Sequence, residues 1–196
     1  MNETVKNKLS DQIWTTRTSR INAEKRLKST ASFVEAINIY YSCFTVLLSI
    51  ILLSEQSYTL SLLTLSMTII LTISILFFKS LQYSERARNY RKNYTELQKL
   101  EFQLSHISTE KELEDIEQQY CVLLDEAENH IPFDYYKTVA ESRGDYKTNR
   151  WTCDIKFKYY RGLIWRYILK FVIILLPIAL VIIILWGQKY GWFSGT

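Results

Sequence analysis

Glycine, proline, cysteine and histidine are all scarce in this chain of 196 residues, with five, two, three and two copies respectively. The glycines do not cluster. That excludes a phosphate-binding P-loop, a Gly-rich dinucleotide turn and a nucleophile elbow, each of which needs small residues where backbone approaches a ligand. Cys43, Cys121 and Cys153 are odd in number and have no ligand spacing. They read as reduced structural thiols rather than a disulfide framework or a zinc site. His106 and His130 are too few and too distant for a His-based metal centre. Glu101 with His106, and Asp125 and Glu128 with His130, can be drawn as acid–base pairs, but they lie on or beside a strongly charged helix where composition alone produces such neighbours. No enzyme is expected, and no catalytic residue, metal or cofactor.

Charge is missing from three blocks and dense elsewhere. Mean hydropathy is −0.06, an average that conceals this segregation. Residues 34–54, 59–78 and 168–186 are each about long enough to cross the ~30 Å hydrocarbon core as a helix. The first thirty residues hold no short apolar run near Met1, so no secretory signal is expected and the first block stays in the mature protein. The link between the first two blocks is only a few residues around SEQS (54–57), and so short a link requires an antiparallel helical hairpin. The expected fold is an all-α integral membrane protein. Its parts are an amphipathic N-terminal helix (1–32), a transmembrane hairpin (33–78), a cytoplasmic helical hairpin and linker (79–167), a third span (168–187) and an external tail (188–196).

Lys and Arg set the orientation. They crowd before the first block (Lys6 to Lys28), after the second (Lys79, Arg86, Arg88, Arg91, Lys92) and before the third (Lys156 to Lys170), and are sparse elsewhere. The N-terminus and 79–167 are therefore expected in the cytoplasm. The basic aromatic run 150–170 resembles a single-strand nucleic-acid surface, but its place before a span assigns Tyr159, Tyr160, Trp165 and Tyr167 to the lipid headgroups, and no direct nucleic-acid binding is expected. Pro177 should bend the third span, since it removes one backbone donor.

Between the spans, Tyr83, Ala87, Tyr90, Tyr94, Leu97 and Leu104 recur at helical spacing, and the second span is expected to run on into this helix without a break. Thr109 and Glu112 have capping-box spacing at the start of a second helix, whose seam is Leu113, Ile116, Tyr120, Leu123 and Ala127. Residues 110–128 hold eight acidic side chains against Lys111, a solvated face or an acidic docking face for a partner. Asp134 should cap a short helix ended by Gly144, after a turn at Pro132. The N-terminal segment, with Ser10 as its N-cap, either lies on anionic lipid or packs on the other cytoplasmic helices.

Two polar stripes run through the spans. Ser57, Ser61, Thr64, Thr68 and Thr72 fall within an arc of about 80°. Glu35, Asn38, Ser42, Thr45 and Ser49 form a matching arc on the first span. They are candidate pore-lining residues, or else pack against each other, their hydroxyls bonding the carbonyls of their own helix. Two helices cannot enclose a pore, so a channel requires a homo-oligomer.

ENHIPFDYYKTVAESR (128–143), with its E-N-H-x-P-x-D-Y core, resembles the SLATT family, the SMODS- and SLOG-associating two-transmembrane effectors, and most closely its fifth subfamily. IWTTRTSRINAEKRL (13–27), ahead of a span–loop–span hairpin, is similar to that family's N-terminal signature. The resemblance covers nearly the whole chain; the family's name implies two spans, and the third exceeds it. The resemblance implies a pore-forming effector in the bacterial inner membrane that permeabilises the membrane during abortive infection by phage. It also implies a nucleotide second messenger, or a nucleotidyltransferase or reverse-transcriptase defence partner, as trigger. Asn129, His130, Pro132, Asp134 and Tyr135 are the motif members, a candidate sensor. The rival expectation is a non-conducting anchor that recruits a cytoplasmic defence enzyme through its stalk.

Overall fold

A computed structural model describes residues 3–54, 58–141 and 150–190, and every regular element among them is an α-helix. The order is α1 (Glu3–Ser54), α2 (Tyr58–Ser80), α3 (Tyr83–His106), α4 (Glu110–Asp125), α5 (Pro132–Glu141) and α6 (Arg150–Lys189). No Gly or Pro precedes Pro132, so nothing in the first 131 residues carries the backbone penalty that ends a helix internally. Accordingly α1 runs 52 residues without interruption. Ser10 lies within it and is not an N-cap.

The chain divides into two compact units, residues 1–30 with 83–163, and residues 31–82 with 164–196. α1 and α6 each contribute to both. The division falls beside a break that sequence periodicity does not reveal. α2 and α3 are separate helices, and Gln82 takes a left-handed backbone conformation, φ 48°, between them. Side-chain spacing continues through Tyr83, but a left-handed residue cannot propagate the helix.

The charged unit is a helical bundle. α3 and α4 form the expected antiparallel hairpin, and Leu97, Leu100 and Leu104 of α3 meet Leu113, Ile116 and Tyr120 of α4. Leu9 and Ile13 of α1 complete that cluster, so the N-terminal helix packs on its neighbours with its apolar anchors buried. A second cluster joins Ala23 and Leu27 to Ala87 and Tyr90. The capping box forms as spacing predicts. Thr109 Oγ1 accepts from the Glu112 backbone N–H, and the Glu112 carboxylate accepts from Ser108 and Thr109 at 3.0 Å. Those donors hold the Glu112 carboxyl below its ordinary range. The first part of α6 belongs to this unit. Tyr159 is buried against Phe133, ring centroids 5.2 Å apart, rather than standing among headgroup-facing aromatics. Gly162 lets the Phe133 ring approach to where a Cβ would stand 3.1 Å from it. Tyr160, Trp165 and Tyr167 are exposed.

The apolar unit contains α2 and the apolar parts of α1 and α6. Three helices are long and apolar enough to cross a membrane, and the chain is a multi-pass membrane protein. Leu48, Met67, Phe44, Leu63 and Val181 pack together. Pro177 lies inside α6 and cannot donate to the Ile173 carbonyl one turn earlier. In hydrocarbon an unpaired carbonyl is costly. Tyr41 Oη donates to Ile173 O at 2.7 Å and Tyr40 Oη to Ile174 O at 3.2 Å, so α1 supplies what the proline removes. Tyr41→Phe is expected to destabilise the protein by about 1–2 kcal/mol. Pro177→Ala, which restores the N–H, should make the same tyrosine change nearly neutral. Thermal unfolding of the four variants in detergent checks this, and equal cost in both backgrounds would refute the pairing.

Candidate functional site

The two segments that carry the sequence signatures meet in space. Ser19, Asn22 and Arg26 recur at spacings of three and four, and so share one face of α1. They face α5, the helix opened by Pro132 in the first helical position, where its missing N–H costs nothing. Asp134 is therefore the third residue of α5, not its cap. Its side chain is almost wholly buried and pairs in two places with Arg26, Nε to Oδ1 at 2.8 Å and Nη2 to Oδ2 at 3.0 Å. Asn22 Nδ2 donates to Thr138 Oγ1 at 3.0 Å, Thr138 donates to the Asp134 carbonyl at 3.1 Å, and Ser19 and Thr138 share a hydrogen bond of 3.2 Å.

A second polar group occupies the adjacent face of α1. Leu9, Ile13, Thr16, Arg20, Ala23 and Leu27 follow one another at steps of four, three, four, three and four. Thr16 and Arg20 thus stand in the register of an apolar stripe, the one feature of the sequence that places Arg20 on the packing face of α1. Arg20 is 1% exposed. Its Nη1 donates to Asn93 Oδ1 and to Leu123 O at 2.9 Å, and its Nη2 donates to Leu124 O at 3.2 Å. Those carbonyls belong to the last turn of α4, where they have no intrahelical donor. Arg20 therefore caps α4, with its charge at the negative end of the helix dipole. Asn93 Nδ2 also donates to Leu123 O at 2.8 Å. Burial lowers the Arg20 pKa, an effect opposed by Tyr120 and Tyr90.

The remaining motif residues ring this cluster. Glu128 pairs with Arg86 at 2.7 Å, and the Asn129 carbonyl accepts from Tyr90 Oη at 3.1 Å. Burial raises the Tyr90 pKa, and the nearby Glu128 carboxylate adds to this. His130 is half-buried, with Nδ1 unpartnered. Burial lowers its pKa, against the pull of Asp134, which favours the charged form. Tyr135 is half-buried beside Tyr136. Among the described residues no three His, Cys, Asp or Glu side chains are grouped to hold a metal, and the three cysteines are free and exposed. Gly144 lies outside the described residues.

The polar stripes are divided. Thr45 and Thr64 are buried in the apolar unit. Asn38 and Ser42 are half-buried, whereas Glu35, Ser49, Ser61, Thr68 and Thr72 are exposed, and Ser57 lies outside the described residues. Thr45, Ser49, Thr68 and Thr72 each donate to a carbonyl of their own helix, at 2.7 to 2.9 Å. The stripes therefore lie along the edge of the packing face, with one hydroxyl of each turned inward.

No curated protein and no solved structure matches this chain. The family model of the SMODS and SLOG-associating 2TM effector domain family 5 matches residues 2–183, a stretch that takes in both signature segments and most of the third span. Its signatures meet in one buried polar cluster, it has three helices able to cross a membrane, and the chain belongs to SMODS and SLOG-associating 2TM effector domain family 5.

Proposed function

We propose that this membrane effector is a homo-oligomeric pore of the bacterial inner membrane that permeabilises it as the last step of an antiphage response. Its charged unit lies in the cytoplasm and receives the trigger. That trigger is a nucleotide second messenger or contact with a nucleotidyltransferase or reverse-transcriptase partner. The protein itself carries out no chemical step. The observation that carries this reading is the exposure of Ser49, Ser61, Thr68 and Thr72 on the apolar unit. Hydroxyls that already bond their own helix tolerate lipid and can also line water, and several copies with these faces turned inward would enclose a wet path. A ligand opens such a path only by binding the open form better than the closed one.

Ion release from liposomes containing the purified protein, triggered by its cognate signal, tests the proposal. Ser61→Ala, Thr68→Val and Thr72→Val together are expected to add about 1.4 kcal/mol to the conduction barrier and so to lower the leak about tenfold. Unchanged leak at unchanged oligomer size would remove the stripes from the pore. No leak from wild-type protein with its signal would leave the anchor reading, which the self-satisfied hydroxyls also favour.

A further inference from the structure

The charged unit has a ridge and a groove of opposite charge at matching levels. On α4 the buried seam is Leu113, Ile116 and Tyr120, and Asp115, Gln119 and Val122 line the side toward α3. Glu114, Glu117, Cys121 and Asp125 fall in a separate arc of about 80°, and all are exposed. This is an acidic ridge on a face of α4 that α3 does not cover. Between α1 and α3 lies a groove of about 850 Å³, walled by Arg17, Thr95, Gln98, Lys99, Glu101 and Phe102, so that two cations share it with one carboxylate. Phe102 is 70% exposed and lies against the His106 ring, centroids 4.7 Å apart. Exposed Arg91 and Lys92 continue α3 beyond the groove.

The levels follow from contacts within the hairpin. Asn93 bonds Leu123 O at 2.8 Å and Arg86 pairs with Glu128 at 2.7 Å, so Arg91 and Lys92 stand level with Asp125. Leu100 and Leu104 cluster with Leu113 and Ile116, so Lys99 and Phe102 stand level with Glu114 and Glu117. Arg17 joins them through its 2.8 Å ion pair with Glu101. Rotation about an axis along the bundle preserves level. Lys99 is paired within its own helix with Glu96 at 2.9 Å, so what a second copy's acidic ridge meets is the net positive charge that Arg17, Lys99, Arg91 and Lys92 keep over Glu96 and Glu101.

We propose that neighbouring copies dock head to tail through the charged unit, the α4 ridge of one copy in the α1–α3 groove of the next. Such a heterologous interface uses two different surfaces and closes into a ring, the assembly that an enclosed path requires. The inference rests on the oligomer of the proposed pore and names the surface that builds it. A self-complementary contact through α4 alone would instead set acidic ridge against acidic ridge, which like-charge repulsion disfavours.

Cross-linking of the full chain in detergent tests it. In a Cys43→Ser, Cys153→Ser background that keeps Cys121, Gln98→Cys should give a ladder of covalent oligomers on mild oxidation, because Gln98 in the groove is close to the level of Cys121. Glu114→Lys with Glu117→Lys should weaken assembly about tenfold by light scattering, and adding Lys99→Glu should restore most of it. An oligomer that yields no ladder and ignores the charge reversals would overturn the interface and leave the pore standing. Cross-linking through Cys121 alone would overturn it in favour of a two-fold α4 contact. Protein that is monomeric at every concentration, with its signal present, would overturn both.

Discussion

Arg26→Met is expected to destabilise the charged unit by about 3–5 kcal/mol, more than removal of its partner would. The asymmetry comes from burial. Asp134 has 1% of its side chain exposed against 18% for Arg26. Without Arg26 a carboxylate is stranded among Asn22, Thr138 and α5, with neither water nor a cation to compensate it. Without Asp134 the guanidinium can swing toward solvent, so Asp134→Asn should cost only about 1–2 kcal/mol. Urea unfolding of the full chain in detergent, followed by near-UV circular dichroism of the tyrosines, separates the two cases. Equal cost for the two variants would mean that the pair is no more than a surface ion pair. Because Arg26 and Asp134 sit in the two signature segments, the same experiment measures how firmly those segments are held together.

Arg20→Met is the second large effect, about 2–4 kcal/mol. The guanidinium offers a fork that reaches three acceptors: Asn93 Oδ1, Leu123 O and Leu124 O. Methionine fills most of the space and serves none of them. The Leu123 carbonyl retains the Asn93 amide, while Leu124 O and Asn93 Oδ1 lose the guanidinium. A charge buried without a carboxylate partner is itself expensive, and recovering that desolvation keeps the net cost below the sum of the lost hydrogen bonds. Arg20→Lys should recover little, since an ammonium cannot reproduce the planar geometry. Arg20→Met combined with Asn93→Leu should cost less than the two changes added, by about 1–3 kcal/mol, because removing both partners leaves fewer orphaned groups than removing one. Strict additivity in the same unfolding assay would show that Arg20 and Asn93 do not act as a unit. The hydrogen-exchange protection of the last turn of α4 should fall in Arg20→Met and not in Arg26→Met, which distinguishes loss of the cap from general loosening.

Both residues were visible in the sequence only as polar interruptions. Arg20, Glu24 and Arg26 look like the solvated side of an amphipathic helix with sparse anchors, yet Arg20 and Glu24 are buried. The register of Leu9, Ile13, Ala23 and Leu27 carries Arg20 on the same face, but spacing does not say whether a long basic side chain on that face lies inside or reaches outward. Asp134 had the residue type of a cap; Pro132, itself an excellent first helical residue, started α5 two positions earlier and left Asp134 free to pair elsewhere. Tyr41 looked like one aromatic among several. Its task depends on Pro177, separated from the 2.7 Å acceptor by only one turn of α6 but from Tyr41 by most of the chain.

Helical class, three membrane-crossing blocks, the α3–α4 hairpin and the Thr109–Glu112 box are properties of the sequence by itself. Each is written in spacings of a few residues: apolar runs, steps of three and four, a hydroxyl three places before a carboxylate. Tertiary structure alone decided which polar side chains are interior, since Arg26 and Asp134 lie 108 positions apart and no local pattern records which faces will meet. It also divided the stripes, burying Thr45 and Thr64 while leaving Thr68 and Thr72 outside. A helix face is fixed by its own periodicity, but whether that face is covered depends on the element packed against it.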